Sequence, residues 1–268
     1  MLVEQLDQWW DMSDPAGSRE RFEAALAGSE GDAALVLRTQ VARTFGLSGD
    51  FDRARETLSA MRDEVDAADP EVRARFWLEW GRCAASAAHD PAAITDAARA
   101  EADCSYTRAA EAAHEGGLDG LEVDALHMLA FIPTEAGERI RRGRVALALA
   151  LSSDQPEARR WEAGLRNNLG YELATAGVHD AAAVELGQAL ALTRDGGDDE
   201  AVRIAEWMVA WNARLAGDLD TALGIQRRLE AEWEAAGSSD PYVWSELAAI
   251  HDARGDAETA ERYRRLTS

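Results

Sequence analysis

Lysine is absent from this chain. Its 268 residues carry 28 basic side chains, every one an arginine, against 50 Asp and Glu, for a net charge of −22. A Walker A loop needs a lysine on its phosphates, and a protein kinase needs one on a strand. Schiff-base aldolases and pyridoxal phosphate enzymes need a lysine amine. All four are excluded in their usual forms. The surplus of acid also argues against a nucleic-acid partner, whose phosphates need a clustered basic surface. Cysteine is scarce. Cys83 and Cys104 are too few for a disulfide framework or a four-ligand zinc site, and they read as two small apolar helix residues. Long hydrophobic runs are missing as well. The longest uncharged apolar stretch, Ala125 to Thr134, has ten residues, far short of a membrane span. The first twelve residues, MLVEQLDQWWDM, lack a basic n-region and an apolar h-region. Neither a signal peptide nor a membrane partner is expected, and the expected location is the cytoplasm.

What is present is alanine, at 55 positions, within a hydrophobic content of 47%. That is enough to bury a core. Alanine is the best helix former and lets helices approach closely. No segment alternates like a strand for long, so the fold class is all-α.

A repeat organises those helices. In NNLGYELATAGVHDAAAVELGQAL, with Gly170 placed at position 8, Leu169, Leu173, Gly177, Ala182 and Ala189 fall at positions 7, 11, 15, 20 and 27. These are the signature positions of a tetratricopeptide repeat, a helical hairpin of about 34 residues. Small residues at positions 8 and 20 let the two helices touch. Gly177 supplies the positive φ that ends the first helix, and Asp180 is placed to cap the second. The grid also fits Ala42, Gly49 and Ala54; Ala210, Gly217 and Ala222; and Ala248, Gly255 and Ala260. Poorer copies contain Gly81 and Ala88, and Ala130 and Gly137, the latter with Arg142 where a small residue belongs. The turns then fall at 49, 88, 137, 177, 217 and 255. The wide gap from 88 to 137 is assigned to one long helix from about Pro91 to Glu115. The expected architecture is a right-handed αα-hairpin solenoid of tetratricopeptide type with about six hairpins. Residues 1–34 form N-terminal capping helices and residues 35–268 the solenoid, together one continuous domain. No capping helix follows the sixth hairpin. The C-terminal end, near Trp233 and Trp244, is therefore expected to be covered by a partner, a second copy in a homo-oligomer or a folded-back tail. Helical toroids of carbohydrate enzymes also stack αα-hairpins, but they lack this grid.

The segments TQVARTFG, LEWGRCAAS, LEVDALHMLAF, RRWEAGLRNNLGY and WNARLAGDLDTALGIQRRL resemble a widespread bacterial family of tetratricopeptide-repeat proteins of unestablished function. The resemblance runs from about residue 13 onward. It implies the fold and a bacterial origin, and it carries no activity. Ala84-Ala85-Ser86 is blander than the family's polar segment there.

The resemblance, with helical periodicity, places positions 2, 5, 6, 9, 12 and 13 of each first helix on the concave wall. The projected groove contains Gln40 and Arg43, with Thr39; Glu79 and Arg82, with Arg75; Asp124, His127 and Phe131, with Met128; Asn167, Asn168 and Tyr171; and Trp207, Trp211 and Arg214. Asparagine occurs only at 167, 168 and 212, and an amide pair can grip a peptide backbone. Arg43 and Arg82 could bind carboxylates bidentately, and Phe131, Tyr171 and Trp211 repeat at position 9. The expected partner is a protein or peptide segment, acidic with apolar anchors. The competing structural reading pairs Arg43 and Arg82 with Glu79 and packs the Trp side chains between repeats. An acidic chaperone C-terminal peptide is excluded, because His127, Phe131, Ile204 and Met208 stand where its clamp needs basic or amide groups.

Three His-Asp dipeptides, at 89–90, 179–180 and 251–252, recur with the repeat and give no shared metal site. RIRRGR, Arg139 to Arg144, reads as a solvated basic spot on a second helix. Asp124 and His127 stand one helical turn apart and, with Asn167 or Asn168, form the one constellation suited to acid–base work. There is no G-x-S-x-G or H-E-x-x-H. The expected function is thus a non-enzymatic peptide- or protein-binding adaptor without cofactor or metal. The alternative is a small-ligand sensor or enzyme around Asp124, His127, Asn167 and Asn168.

Overall fold

The computed structural model describes residues 2–267. Helices make up 78% of the protein, and no strand occurs among the described residues. The chain divides into two compact units, Met1–Arg160 and Trp161–Ser268.

The first unit contains α1 (Leu2–Trp9), α2 (Pro15–Leu26), α3 (Gly31–Leu47), α4 (Phe51–Ser59), α5 (Arg62–Val65), α6 (Pro70–Ala84), α7 (Asp96–Glu115), α8 (Asp119–Phe131), α9 (Ala136–Ser152) and α10 (Pro156–Arg159). Its hairpins are α3/α4, α6/α7 and α8/α9, and α6 packs on both α3 and α8. Phe22, Leu37, Leu58, Met61, Val65 and Phe76 are buried in one cluster, and Leu78, Ala102, Tyr106, Ala109 and Ala125 in another. Each large side chain so enclosed contributes roughly 1.5–3 kcal/mol of apolar burial. The second unit contains α11 (Glu162–Thr175), α12 (His179–Gly196), α13 (Asp199–Leu215), α14 (Leu219–Ala235), α15 (Pro241–Ala253) and α16 (Ala257–Leu266). Its hairpins are α11/α12, α13/α14 and α15/α16, with α13 packed on α11 and α15. Leu229, Val243, Leu247, Ala248 and Tyr263 are buried together near its end.

The repeat grid has direct steric meaning. A Cβ at Gly81 would lie 2.6 Å from the Tyr106 ring, and one at Gly170 would lie 2.6 Å from Leu186. The position-8 glycines are therefore where the second helix of each pair comes closest. Ala54, Ala182, Ala222 and Ala260, the small residues on the facing helices, are all buried. Arg142, which breaks that pattern, is accommodated by turning its guanidinium to the Leu129 carbonyl, Asp103 and Glu138.

Three local expectations are corrected. Gly137 lies inside α9, and the third turn is residues 132–135. Pro133 has no N–H to continue a helix, so proline rather than glycine sets that turn. The long second helix of the second hairpin starts at Asp96, not near Pro91, because the Thr95 side chain accepts from Ala98 N–H and caps it there. Asp180 is not the cap of α12. The capping position is Val178, which offers no side-chain acceptor. In three other hairpins the residue directly after the turn glycine, Asp50, Asp218 or Asp256, accepts from a backbone N–H three residues on.

Candidate functional site

In the first unit, three first helices converge through charge. Arg43 on α3 donates to Glu79 on α6 at 3.2 Å. Arg82, one turn further along α6, donates to Glu79 at 2.5 Å and to Asp124 on α8 at 2.5 Å. All four side chains are largely removed from solvent. Burial alone would raise the Asp124 carboxyl, but the Arg82 guanidinium, with Arg43 behind it, holds it below the usual carboxylate range. Arg82 itself is pulled down by burial but raised overall by Asp124 and Glu79. His127, one turn after Asp124, is lowered chiefly by burial, with Asp124 opposing. Burial thus favours its neutral form, and the imidazole is set edge-to-face against Phe131 at 4.8 Å. Gln40 is buried and accepts from the Trp10 indole at 3.0 Å. Burial also pushes the nearby Cys83 thiol up to about 12, which suppresses its thiolate. The arginines projected toward ligand carboxylates thus already hold carboxylates of their own chain, and Asp124 has its charge matched by Arg82.

Asn167 and Asn168 lie half-buried on α11 in the second unit, whereas Asp124 and His127 belong to the first. The second unit brings its aromatic residues together. Tyr171 on α11 stacks on Trp211 of α13, with ring centroids 5.3 Å apart and 13° between planes. Trp211 is stacked with Trp207, one turn earlier, at 6.4 Å and 10°. Trp207 meets Tyr242 of α15 edge-on at 6.4 Å, and its indole N–H donates to the Tyr242 carbonyl at 3.1 Å. Such pairs contribute about 0.5–1.5 kcal/mol each beyond burial, so the row is a formed surface. Tyr171 is 47% exposed and Tyr242 70% exposed. Arg214, the last projected groove residue, is clamped by both carboxylate oxygens of Glu246 at 2.7 and 2.8 Å.

Tyr242 was not among the projected residues. Extending the grid to the sixth hairpin, with Ala248 at position 8, would have put it at position 2. The remaining motifs serve the scaffold. His179 and the third asparagine, Asn212, bind each other at 3.2 and 3.1 Å and tie α12 to α13. His251 meets Asp256, the cap of α16, at 3.0 Å. His89 stacks on Phe51 and accepts from the Ser86 N–H. In the RIRRGR segment, Arg141 and Arg142 both hold Glu138, whose carboxyl their hydrogen bonds lower to about 2. Among the described residues no group of three or more His, Cys, Asp or Glu could hold a metal ion. No described helix is long and apolar enough to cross a membrane.

No family model matches the chain, and no curated protein matches its sequence. Solved structures do resemble it. The Signal Transduction ATPase with Numerous Domains protein with a tetratricopeptide repeat sensor from Pyrococcus horikoshii is similar over 94% of this chain, at 12% identity and a TM-score of 0.72. The chain spans 39% of that protein's length. The apo form of RapI is similar over 99% of this chain and 75% of its own, at 11% identity and a TM-score of 0.71. A Rap protein complexed with competence and sporulation factor gives the same coverage at 12% identity and a TM-score of 0.63. These likenesses establish the fold, an all-α helical repeat of tetratricopeptide type.

Proposed function

We propose that the protein is a non-enzymatic binding module that holds a peptide or protein segment against the first helices of its second unit, α11, α13 and α15. The observation that carries this reading is the row Tyr171, Trp211, Trp207 and Tyr242, which joins three successive hairpins and ends in two exposed rings. Aromatic rings offer large, rigid contact area at low entropic cost. The Rap protein of the same fold, which was solved in complex with competence and sporulation factor, gives the reading a precedent. Two unpaired cysteines fit a reducing, cytoplasmic setting. The acid–base alternative loses support because Asp124, its only carboxylate, is already engaged by Arg82.

The test is to pan a random-peptide display library on the full-length protein and on a Tyr171→Ala/Tyr242→Ala variant of equal helicity. Recurrent sequences enriched on the first and lost on the second are the expected result. Failure to enrich anything, or equal enrichment on both, overturns the proposal.

A further inference from the structure

The chain covers its rings with guanidinium. Among the described residues, nine Arg–ring pairs have the guanidinium carbon within 5.8 Å of a ring centroid. Examples are Arg55 over Trp80, Arg108 over Trp77 and Arg203 over Trp233. None of the nine involves Tyr171, Trp211, Trp207 or Tyr242. The helices that carry those four rings have no cation to spare. Arg166 of α11 is held by Glu162 and Glu185, Arg203 of α13 lies over Trp233, and Arg214 is clamped by Glu246. The sequence of α15 contains no arginine.

Acid, by contrast, is in excess there. Residues 161–268 contain 10 Arg against 20 Asp and Glu, a net −10. Glu200 and Ile204 precede Trp207 and Trp211 at helical spacing along α13, and both are exposed. They share the face of the rings. Asp240 stands at the head of α15, two residues before Tyr242.

We propose that the aromatic row binds a cationic segment, one bearing arginine or lysine beside apolar residues. The partner's cations would lie on the exposed ring faces within the acidic field, and its apolar side chains on Ile204 and the ring edges. This rests on the binding-module reading and names the chemistry of its partner. It also reverses the sign expected from the sequence, because the arginines that suggested an acidic partner are neutralised within the chain. A ring–cation contact of this kind is worth about a 3- to 30-fold change in affinity, and the surrounding charge makes binding salt-sensitive.

The experiment reads the composition of the peptides that depend on the aromatic row. Full-length wild type, Tyr171→Ala/Tyr242→Ala and Glu200→Arg are panned with a random-peptide library, and the best wild-type binder is titrated at low and high salt. Row-dependent binders should be enriched in Arg and Lys. Replacing their basic residues by glutamine should weaken binding about 3- to 30-fold per contact. Added salt and the Glu200→Arg substitution should each weaken it as well. Row-dependent binders that are acidic or neutral, or whose affinity is indifferent to salt, overturn the cationic assignment while leaving the binding module standing. Self-association that the tyrosine variant abolishes would identify a second copy as the occupant and overturn it too. Absence of any row-dependent binder removes both.

Discussion

Arg82 shows what a lysine-free chain gains from guanidinium. One planar, permanently charged group reaches Glu79 on its own helix and Asp124 on α8, the first helix of the next hairpin, a fork that a single ammonium does not reproduce. Removing one partner of a buried ion pair leaves uncompensated charge and costs about 3–5 kcal/mol. Arg82→Met should therefore destabilise the protein by roughly that amount in urea unfolding near neutral pH. The loss should depend on pH in a defined direction. Asp124 has its folded-state value depressed by Arg82, so this contribution is fully present above the unfolded-state value and is lost as pH falls through the folded one. The stability gap between wild type and Arg82→Met should narrow on acidification from about pH 5 to about pH 3. A gap that stays constant or widens would mean that Asp124 is not held ionised by Arg82. The pairing itself was not legible in the sequence. Arg82 and Asp124 are 42 residues apart on different hairpins, and a repeat grid gives each residue its face without giving its partner. Both groups therefore read equally well as ligand contacts.

Helix ends and helix contacts were legible wherever sterics left one solution. A positive φ at Gly49, Gly177, Gly217 and Gly255 and a close approach at Gly81 and Gly170 follow from the grid alone. Where two residues competed to set an end, the sequence was ambiguous: Pro133 prevailed over Gly137, and Thr95 over Pro91. The capping pattern makes a sharper prediction. Val178 has φ −96° and ψ 60°, close to the −96° and 72° of the capping Asp256, and it is 48% exposed. Val178→Asp should supply the missing acceptor and stabilise the fourth hairpin by about 1 kcal/mol, seen as a raised melting temperature. Gly170→Ala should do the reverse. Its methyl must displace Leu186, and overpacking of this kind costs about 1–3 kcal/mol. Unchanged melting of Gly170→Ala would show that α11 and α12 are less closely packed than described.

Charge and aromatic surface at the larger scale support the proposed cationic partner. The net −22 is spread over both units. Most of the arginines that might have offset it locally are committed to internal carboxylates and to rings. Three of the four rings, Tyr171, Trp207 and Trp211, were legible because the repeat places them on first helices. Tyr242 was not, because it sits in the terminal hairpin where the projection stopped. That none of the nine guanidinium–ring contacts falls on them needed coordinates to be seen. Long-range attraction of a basic segment to the second unit, followed by contact with the exposed rings, is the behaviour this distribution favours. The most direct test of the binding surface is calorimetric titration of the best panned segment into full-length wild type and into the Tyr171→Ala/Tyr242→Ala variant. The two exposed rings should together account for about a tenfold or greater loss of affinity at unchanged helicity. Equal affinity for the two proteins would contradict the account.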